Sequence, residues 1–336
     1  MSYPTITLEE HFLSSNAIAA LPTSQSKFYT KVKPAWAEQL SDISPNGSRI
    51  KAMDSGHVGI QVLSNSFGIT SLAPEVVAAA NDELAKACKA QTRFRGFAAL
   101  PMKHGKAAAA ELERCIKELG MVGALIDSHL DDGRYYDDEI ALDAFAKAQE
   151  LDVPIYIHPT TPLEDVQAAL YDGNYDKEVG AALGIAGWGW HCDTALSVLR
   201  MYAAGIFWKF PNLKVVVRHM GEMLPYMLDR IDEKVGQIWL KAELSFKDVW
   251  ERNIWVTTSG MFTMPPMACL LRSTSIDRIL YSVDYPYSTT EQGKAFMEEL
   301  RESGLVTEEG YSKIAFKNAE RLLNFKMSRS RTTKTR

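Results

Sequence analysis

A regular alternation of two residue patterns constrains the fold of this chain more than any other feature. Short apolar runs rich in β-branched residues, typical of buried strands, alternate with stretches of helical periodicity. The predicted strands are Thr5–Glu9, Val58–Leu63, Phe94–Leu100, Val122–Ile126, Val153–His158, Leu213–His219, Asn253–Thr258 and Arg278–Asp284. The predicted helices include Pro74–Ala90, Gly105–Leu119, Asp138–Leu151, Thr194–Trp208, Thr290–Ser303 and Glu308–Asn324. Strands that alternate with helices pair in parallel through crossover connections.

Eight strand–helix units in 336 residues predict an α/β fold, a (β/α)8 TIM barrel that forms one domain over residues 1–327. The alternative is an open, doubly wound sheet, which favours a glycine-rich phosphate loop after the first strand. The first strand instead runs into Glu-Glu-His-Phe-Leu, so the open sheet is disfavoured. Residues 328–336 are polar and basic, and they are predicted to be a disordered tail.

Two long insertions interrupt the alternation, at about residues 12–50 and 159–190. Long loops in a compact domain are usually lids or binding loops. Both insertions follow strand ends, so we expect them to lie over the C-terminal face of the barrel, where barrel enzymes have their active sites.

Composition excludes several classes of function. The net charge of −5 argues against nucleic-acid binding, which requires a basic surface. No apolar run approaches the ~20 residues that cross a bilayer, so no membrane partner is expected. Four widely separated cysteines indicate reduced thiols. The N-terminal residues do not have the pattern of a secretion signal, and a cytoplasmic enzyme is predicted.

Polar residues fall where the predicted strands end. Glu9 and His11 end the first strand, His158 the fifth, His219 the sixth and Asp284 the eighth. All these ends open onto one face of a parallel barrel. Residues i and i+2 of a strand point the same way, so Glu9 and His11 can reach one ion. Any one histidine at a strand end is more often structural, but the joint pattern predicts a site for one divalent metal ion. Zn²⁺ is favoured, with Mn²⁺ and Mg²⁺ as alternatives.

Two further roles concern residues beside this site. Glu222, in Arg-His-Met-Gly-Glu, could hold the ring of His219 and fix its tautomer, which would make His219 a proton-transfer group. The alternative interpretation makes Glu222 an acidic residue in the first turn of a helix. Asp284 could both bind the metal and carry a proton, or it could simply cap a helix before Tyr285-Pro286.

The chain resembles the amidohydrolase superfamily and, within it, the nonoxidative hydroxybenzoate decarboxylases, such as those of 2,3-dihydroxybenzoate, γ-resorcylate and 5-carboxyvanillate. The resemblance spans nearly the whole chain. Its most specific feature is the opening Glu9-x-His11, since hydrolytic relatives commonly open with His-x-His. The segments that carry the resemblance are Thr7–Phe12, Val153–Pro159, Leu213–Glu222, Asp229–Ile231, Arg278–Pro286 and Lys317–Leu322.

The resemblance implies a metal site and an active site made by named residues. The implied metal ligands are Glu9, His11, His158 and Asp284. His219 and Glu222 would line the active site as catalytic residues beside Asp284. Arg230 matches an arginine that reaches into the neighbouring subunit's active site, which implies a homodimer or homotetramer. Without the resemblance, Arg230 would be interpreted as part of a surface ion pair.

The loops depart from the better-known members at 64–67, 127–129 and 188–191, where we look for substrate selectivity. Aromatic residues there could sandwich a planar ring or could pack within a lid. The predicted substrate contacts are Ser64, Phe67, Trp188, His191 and Arg230.

The first functional hypothesis is metal-dependent, nonoxidative decarboxylation of a small aromatic acid. The substrate would be an ortho-hydroxybenzoate of the 2,3-dihydroxybenzoate, 2,6-dihydroxybenzoate or salicylate type. Asp284 would protonate ring carbon C1, the products would be a phenol and CO₂, and bicarbonate would drive the reverse reaction. No organic cofactor is required. The alternative is a hydrolase of a lactone or ester in which Asp284 activates metal-bound water, and a third possibility is a noncatalytic binding protein.

Overall fold

The computed structural model describes residues 4–21, 34–238 and 244–327. The predicted tail at 328–336 and part of the first insertion lie outside these residues. Every predicted strand is present, and the run Phe94–Leu100 is divided in two at Phe97. The strands are β1 Thr5–Phe12, β2 Val58–Asn65, β3 Phe94–Gly96, β4 Ala98–Ala99, β5 Ala124–Asp127, β6 Pro154–His158, β7 Lys214–Val217, β8 Ile254–Thr257 and β9 Ile279–Leu280.

All strand pairs are parallel, and the spatial order follows the chain order from β1 to β3 and from β4 to β9. Backbone hydrogen bonds bring the segment after β9 back to β1. The Asp284 amide donates to the Glu9 carbonyl over 2.9 Å, and the His11 amide donates to the Tyr285 carbonyl over 2.7 Å. Glu10 and Tyr285 form a parallel bridge. The segment that follows the last strand therefore lies beside the first strand, as in a (β/α)8 barrel and unlike in an open sheet.

Helices follow most strands, as predicted, and Pro74–Ala90 has the predicted bounds. The predicted helix Thr194–Trp208 is two helices, because Gly205 between them has a left-handed φ of +76°. The described α-helices are Ser15–Ile18, Pro34–Ser41, Ser48–Ser55, Pro74–Ala90, Gly105–Lys117, Leu142–Glu150, Glu164–Val166, Lys177–Ala182, Gly189–Ala203, Ile206–Lys209, Leu224–Ile238, Phe246–Asn253, Met264–Ser273, Thr290–Glu302, Glu308–Ser312 and Asn318–Leu322. Short 3₁₀ or π-helical turns occupy Glu139–Ala141, Gln167–Tyr171, Leu183–Gly187, His219–Gly221, Ile276–Arg278 and Lys313–Lys317.

Two apolar clusters hold this architecture together. The larger contains the buried side chains of the strands and of the helices packed around them. The smaller joins Leu13, Ala17 and Leu40 of the first insertion to Phe67 after β2 and to Trp190 of the second insertion. The described parts of both insertions are thus packed together beyond the C-terminal ends of the strands, as predicted. Across the described ranges, no helix combines the length and the hydrophobicity needed to cross a bilayer.

Candidate active site

The four predicted metal ligands lie together at the C-terminal ends of the strands, and all four are buried. Nε2 of His11 lies 3.2 Å from Oδ1 of Asp284 and 3.7 Å from Oε1 of Glu9. Nε2 of His158 lies 3.6 Å from the same Glu9 oxygen. Potential ligand atoms of Glu9, His11 and His158 lie within 4.8 Å of one another, as do those of Glu9, His219 and Asp284. The structure therefore adds His219 to the neighbourhood of the predicted ligands.

The donor atoms fit a divalent metal ion. Glu9 Oε1, His11 Nε2 and Asp284 Oδ1 are buried and have no hydrogen-bond partner within the described part of the chain. A buried polar atom without a partner is unfavourable, and coordination of a cation would satisfy all three. Nδ1 of His158 lies 2.6 Å from the Pro159 carbonyl, an acceptor, so this nitrogen carries the proton and Nε2 presents its lone pair to the site. Mixed imidazole and carboxylate ligands suit Zn²⁺ and Mn²⁺.

Hydroxyl groups contact the candidate ligands on the side away from the metal-binding atoms. The Tyr156 hydroxyl donates to Glu9 Oε2 over 2.5 Å and lies 2.7 Å from the Thr257 hydroxyl. Ser64 Oγ lies 3.4 Å from Nδ1 of His11. Ser64 was predicted to contact substrate, but it is buried behind His11 and is not among the residues that line the cavity described below.

Arg218, which we had not predicted as a site residue, lies at the centre of this cluster and is buried. Its Nη2 donates to Asp284 Oδ2 over 3.0 Å, and its Nη1 lies 2.9 Å from His158 Nε2. Its Nε lies 2.8 Å from Glu9 Oε1. The sequence feature that could have predicted this role is a charged residue at the end of the apolar run Leu213–His219. A charge buried there requires partners of opposite charge or hydrogen-bond acceptors.

The pKa values of the site reflect burial and this guanidinium. Burial alone would raise the pKa of Glu9, but the charge of Arg218 and the contact with His11 outweigh it and hold that pKa well below its ordinary value. Burial, and then the charge of Arg218, lower the pKa of His158 well below its ordinary value. His158 is therefore a neutral imidazole, the form that binds metals.

The turn after β7 holds several side chains in an unusual backbone conformation. His219, Met220, Glu222 and Met223 have φ values between 45° and 67°, and Asp284 has a φ of 72°. Left-handed conformations of residues other than glycine cost on the order of 1–3 kcal/mol each and persist where surrounding contacts impose them. The local sequence alone would not favour this geometry.

The predicted pairing of Glu222 with His219 is wrong. Oε2 of Glu222 lies 2.5 Å from Nδ1 of His191, whereas Nε2 of His219 lies 3.8 Å from Asp284 Oδ2. The left-handed turn between His219 and Glu222 separates their side chains. The helix begins at Leu224, so Glu222 is not in its first turn either. Burial lowers the pKa of His191, but Glu222 outweighs it, and the pKa is raised.

A cavity of about 440 Å³ opens beside the predicted ligands. Its wall combines polar groups with aromatic rings, a lining that suits a planar aromatic ligand with an acidic group. The ring of Phe67 is nearly parallel to that of His158, with the centroids 6.0 Å apart. The lining includes His158, His191, Arg218, His219, Asp284, Phe67, Trp190 and Tyr287.

Only some of the other predicted substrate contacts lie on the wall of this cavity. Phe67 and His191 lie on the cavity wall. Trp188 is 52% exposed and borders a neighbouring groove, and Trp190, two residues later, lies on the wall in its place. Arg230 is exposed on the helix Leu224–Ile238 and is not among the lining residues. Glu10, next to Glu9 on β1, is fully buried and accepts hydrogen bonds from the Gln61 side chain and the Val283 amide.

The fold and the site together define a (β/α)8 barrel enzyme with a candidate metal site at its C-terminal face. The model of the amidohydrolase family matches residues 45–325, and the chain belongs to this family. The Decarboxylase orsB of Emericella nidulans is 42% identical over 98% of this chain and 99% of its own length. The gamma-resorcylate decarboxylase of Polaromonas sp. is 36% identical over 96% of this chain and 99% of its own length. The chain is therefore a decarboxylase of this family.

Solved structures agree. A 2,6-dihydroxybenzoate decarboxylase in complex with 2,6-dihydroxybenzoate superposes with a TM-score of 0.83 at 31% identity, over 96% of this chain and 100% of that one. A dihydroxybenzoic acid decarboxylase from Polaromonas sp., with bound manganese and the inhibitor 2-nitroresorcinol, has a TM-score of 0.83 at 33% identity. That match covers 96% of this chain and 97% of the other. The expected decarboxylase family and barrel fold are confirmed.

Proposed function

We propose that this protein catalyses the metal-dependent, nonoxidative decarboxylation of an ortho-hydroxybenzoate to a phenol and CO₂. The observation that supports this function best is the position of Asp284. Its carboxylate is both one of the candidate metal ligands and part of the wall of an aromatic-lined cavity. Relatives that act on gamma-resorcylate and 2,6-dihydroxybenzoate cover nearly the whole chain. Candidate substrates are 2,3-dihydroxybenzoate, 2,6-dihydroxybenzoate and salicylate.

Glu9, His11, His158 and Asp284 would hold the ion, with His219 near them. A divalent ion bound there supplies positive charge that attracts the substrate's carboxylate and phenolic oxygens and stabilises negative charge. The imidazole ligands favour Zn²⁺, and the manganese of a neighbouring structure makes Mn²⁺ a candidate of equal standing. Mg²⁺ fits the imidazoles less well.

Asp284 is the proposed proton donor to the ring. Burial, which is opposed by Arg218, raises the pKa of its carboxyl group. Protonated Asp284 gives its proton to ring carbon C1, which breaks the aromaticity of the ring. The bond between C1 and the carboxylate then breaks, its electron pair returns to the ring, and CO₂ leaves. The carboxylate of Asp284 regains a proton from the hydroxyl of the next substrate, so each product leaves as a phenolate, which takes up a proton from water to become the phenol.

Residues on the cavity wall would orient the ring and balance charge. Phe67 and Trp190 pack edge to face, with their ring centroids 5.4 Å apart and their planes at 65°, and together they offer an apolar wall to a planar substrate. Burial and the charge of Arg218 lower the pKa of His219, so it is neutral and can exchange a proton with Asp284. The pair of His191 and Glu222 lies beside it and provides a buried charge-assisted contact at the cavity.

Metal analysis and a substrate screen test this function. The purified protein is reconstituted separately with Zn²⁺, Mn²⁺ or Mg²⁺, and CO₂ release is measured from the three candidate acids, with benzoate as a control that lacks the ortho hydroxyl. Phenols in concentrated bicarbonate test the reverse reaction. We expect CO₂ only from the ortho-hydroxy acids. Acid release from lactones without any decarboxylation would instead support the hydrolase alternative.

We also propose a homodimer or homotetramer in which Arg230 reaches the partner's active site. Arg230 shares its helix with strongly exposed apolar side chains, Tyr226 at 82% and Ile238 at 85% exposure, which an interface would cover. Light scattering measures the assembly, and mixing Arg230→Ala with Asp284→Asn subunits tests the exchange. Recovered activity in the mixture supports a shared site, and a monomer would exclude it. A cytoplasmic location remains a prediction of the sequence.

A further inference from the structure

Arg218 contacts the atoms that a metal ion would need. Its guanidinium lies against His158 Nε2, Asp284 Oδ2 and Glu9 Oε1, at 2.9, 3.0 and 2.8 Å. These atoms belong to three different candidate ligands. The nitrogen of His158 has one lone pair, because its other ring nitrogen carries the proton that bonds to the Pro159 carbonyl. That lone pair can accept from Arg218 or bind an ion, but it cannot do both.

Arg218 has a second acceptor close to its present position. Oε1 of Glu222 lies 3.8 Å from Arg218 Nε, and this oxygen is buried without a hydrogen-bond partner in the described residues. Arg218 Nε also lacks a partner in hydrogen-bond geometry, although Glu9 is near. A small movement of the guanidinium would join these two unsatisfied atoms and would release the lone pair of His158.

The charges agree with such an arrangement. Glu9, Glu222 and Asp284 contribute three negative charges to one buried region. Arg218 contributes one positive charge and a divalent ion would contribute two more, so the sum is zero when His191, the partner of Glu222, is neutral. Without Arg218, an ion would leave one carboxylate uncompensated. With Arg218 in its present position, the ion and the guanidinium would compete for His158 Nε2 and Glu9 Oε1.

We propose that Arg218 is an internal competitor of the metal ion, held either by His158 and Asp284 or by Glu222. Metal binding then requires the transfer of Arg218 to Glu222, and the Glu222 carboxylate sets the affinity of a site that it does not ligate. This inference rests on the proposed metal site but is independent of the reaction that the site catalyses.

Metal affinity of substituted proteins tests the first part. The chelated protein is titrated with Mn²⁺ and with Zn²⁺ in competition with a coloured chelator. Arg218→Met, which has a similar length and no charge, is expected to bind each ion about tenfold tighter or more, within the range of effects of residues around metal ligands. Arg218→Lys keeps the positive charge but lacks the planar guanidinium group. Its metal affinity should lie between those of the wild type and Arg218→Met. Arg134→Gln, a substitution of an exposed arginine, is the control and should bind as the wild type does.

Thermal unfolding supplies a second readout that does not involve activity. The chelated Arg218→Met protein should unfold at a lower temperature than the chelated wild type, because its carboxylates lose their cation. Saturating Mn²⁺ should raise the unfolding temperature of this variant more than that of the wild type, since tighter binding stabilises more. If Arg218→Met does not fold, the same comparison is made with Arg218→Lys.

A double-mutant cycle tests the role of Glu222. Glu222→Gln should weaken metal binding in the wild-type background, because Arg218 then has no charged alternative partner. In the Arg218→Met background the same substitution should have a clearly smaller effect. Equal effects in both backgrounds, or weaker metal binding by Arg218→Met, would overturn the inference.

These outcomes are separable from the proposed function. A wild-type protein that binds metal but releases no CO₂ would contradict the proposed reaction and leave the competition of Arg218 intact. Tight binding by Arg218→Met together with weak binding by the wild type supports the inference. Failure of every variant to bind an ion would overturn both.

Discussion

The hydroxyl of Tyr156 donates a hydrogen bond of 2.5 Å to Oε2 of Glu9, inside the barrel. The bond fixes the carboxylate so that Oε1 faces the site. We predict that Tyr156→Phe weakens metal binding about 10–100-fold, as is usual for residues that orient ligands. Chelator competition measures the effect. Tyr136→Phe is the matched control, because Tyr136 is a buried tyrosine whose hydroxyl has no partner in the described residues, and it should leave metal affinity unchanged.

Asp284→Asn tests proton transfer. The amide oxygen can still bind an ion, but the side chain can no longer donate a carboxylic proton. We expect kcat to fall by about 10²–10⁴, the usual contribution of a general acid. CO₂ release under saturating metal measures the loss, and metal content is determined in the same samples. A variant with full activity would exclude Asp284 as the proton donor.

Trp190 and Trp188 form a natural pair for testing the cavity wall. Trp190 is buried on the wall, whereas Trp188 is largely exposed on the neighbouring groove. Trp190→Ala should raise KM about tenfold through the loss of stacking and apolar contact with the ring. Trp188→Ala should change KM by less than about twofold, because exposed side chains outside a site contribute little. The reverse ranking in steady-state kinetics would restore the original prediction for Trp188.

Asp127 is predicted to make stability depend on pH. Burial raises the pKa of its carboxyl group to about 6, although the Gly68 amide donates to it. Because the folded pKa lies above the unfolded one, its contribution to stability is fully present below about pH 4 and is lost as pH rises through about 6. Asp127→Asn removes this titration. The stability of the wild type relative to Asp127→Asn should therefore fall by about 2–3 kcal/mol between pH 4 and 7. Urea unfolding in the presence of a chelator measures the free energy of unfolding of both proteins at each pH. If the two proteins showed the same dependence on pH, the prediction would be contradicted.

Asp42 caps the helix Ser48–Ser55 although it lies several residues before the helix in the sequence. Gly47, at the N-cap position, has no side chain that could accept these hydrogen bonds. The carboxylate accepts from the Ser48 amide over 2.6 Å and from the Arg49 amide over 3.3 Å. We expect Asp42→Ala to lower the free energy of unfolding by about 1 kcal/mol, and Asp42→Asn by less, because an amide oxygen still accepts. Urea unfolding at pH 7 measures the free energy of unfolding of both variants. Equal decreases would mean that the negative charge of Asp42, and not its hydrogen bonds, stabilises the helix.

The low pKa of the Asp42 carboxylate, which is only partly buried, should also keep this helix capped at low pH. Hydrogen bonds from Ser44 and Ser48 outweigh the effect of burial, which would raise the pKa of Asp42, and lower it to about 2. Its contribution to stability is present above the unfolded pKa and is lost as pH falls towards 2. The difference between the wild type and Asp42→Ala should therefore persist at pH 4.

The strand ends were predictable because each depends on a local pattern. Each of the four candidate ligands follows or ends an apolar run: Glu9, His11, His158 and Asp284. A barrel brings these strand ends together regardless of the conformation of its loops. No long-range information was needed to place these residues on one face. The same reasoning could not assign partners within the site, since several polar groups reach the same region.

The turn after β7 shows why partners escaped prediction. Adjacent residues of a strand point to opposite sides, so Arg218 and His219 were not expected at one site. The strand ends at Val217, and a φ of 45° at His219 lets both side chains reach Asp284. The same left-handed backbone directs Glu222 to His191. Propensity does not forecast such a conformation in residues other than glycine.

The hydrogen bonds that join β1 to the segment after β9 also set when the site can form during synthesis. Glu9 lies on β1 and Asp284 follows β9, so Glu9 leaves the ribosome before all the other strands and Asp284 after them. A nascent chain has no complete ligand set until Asp284 lies against Glu9. An ion could therefore occupy this site only after Asp284 has been synthesised and packed against β1, and a chain that terminates before Asp284 has no means of assembling the site.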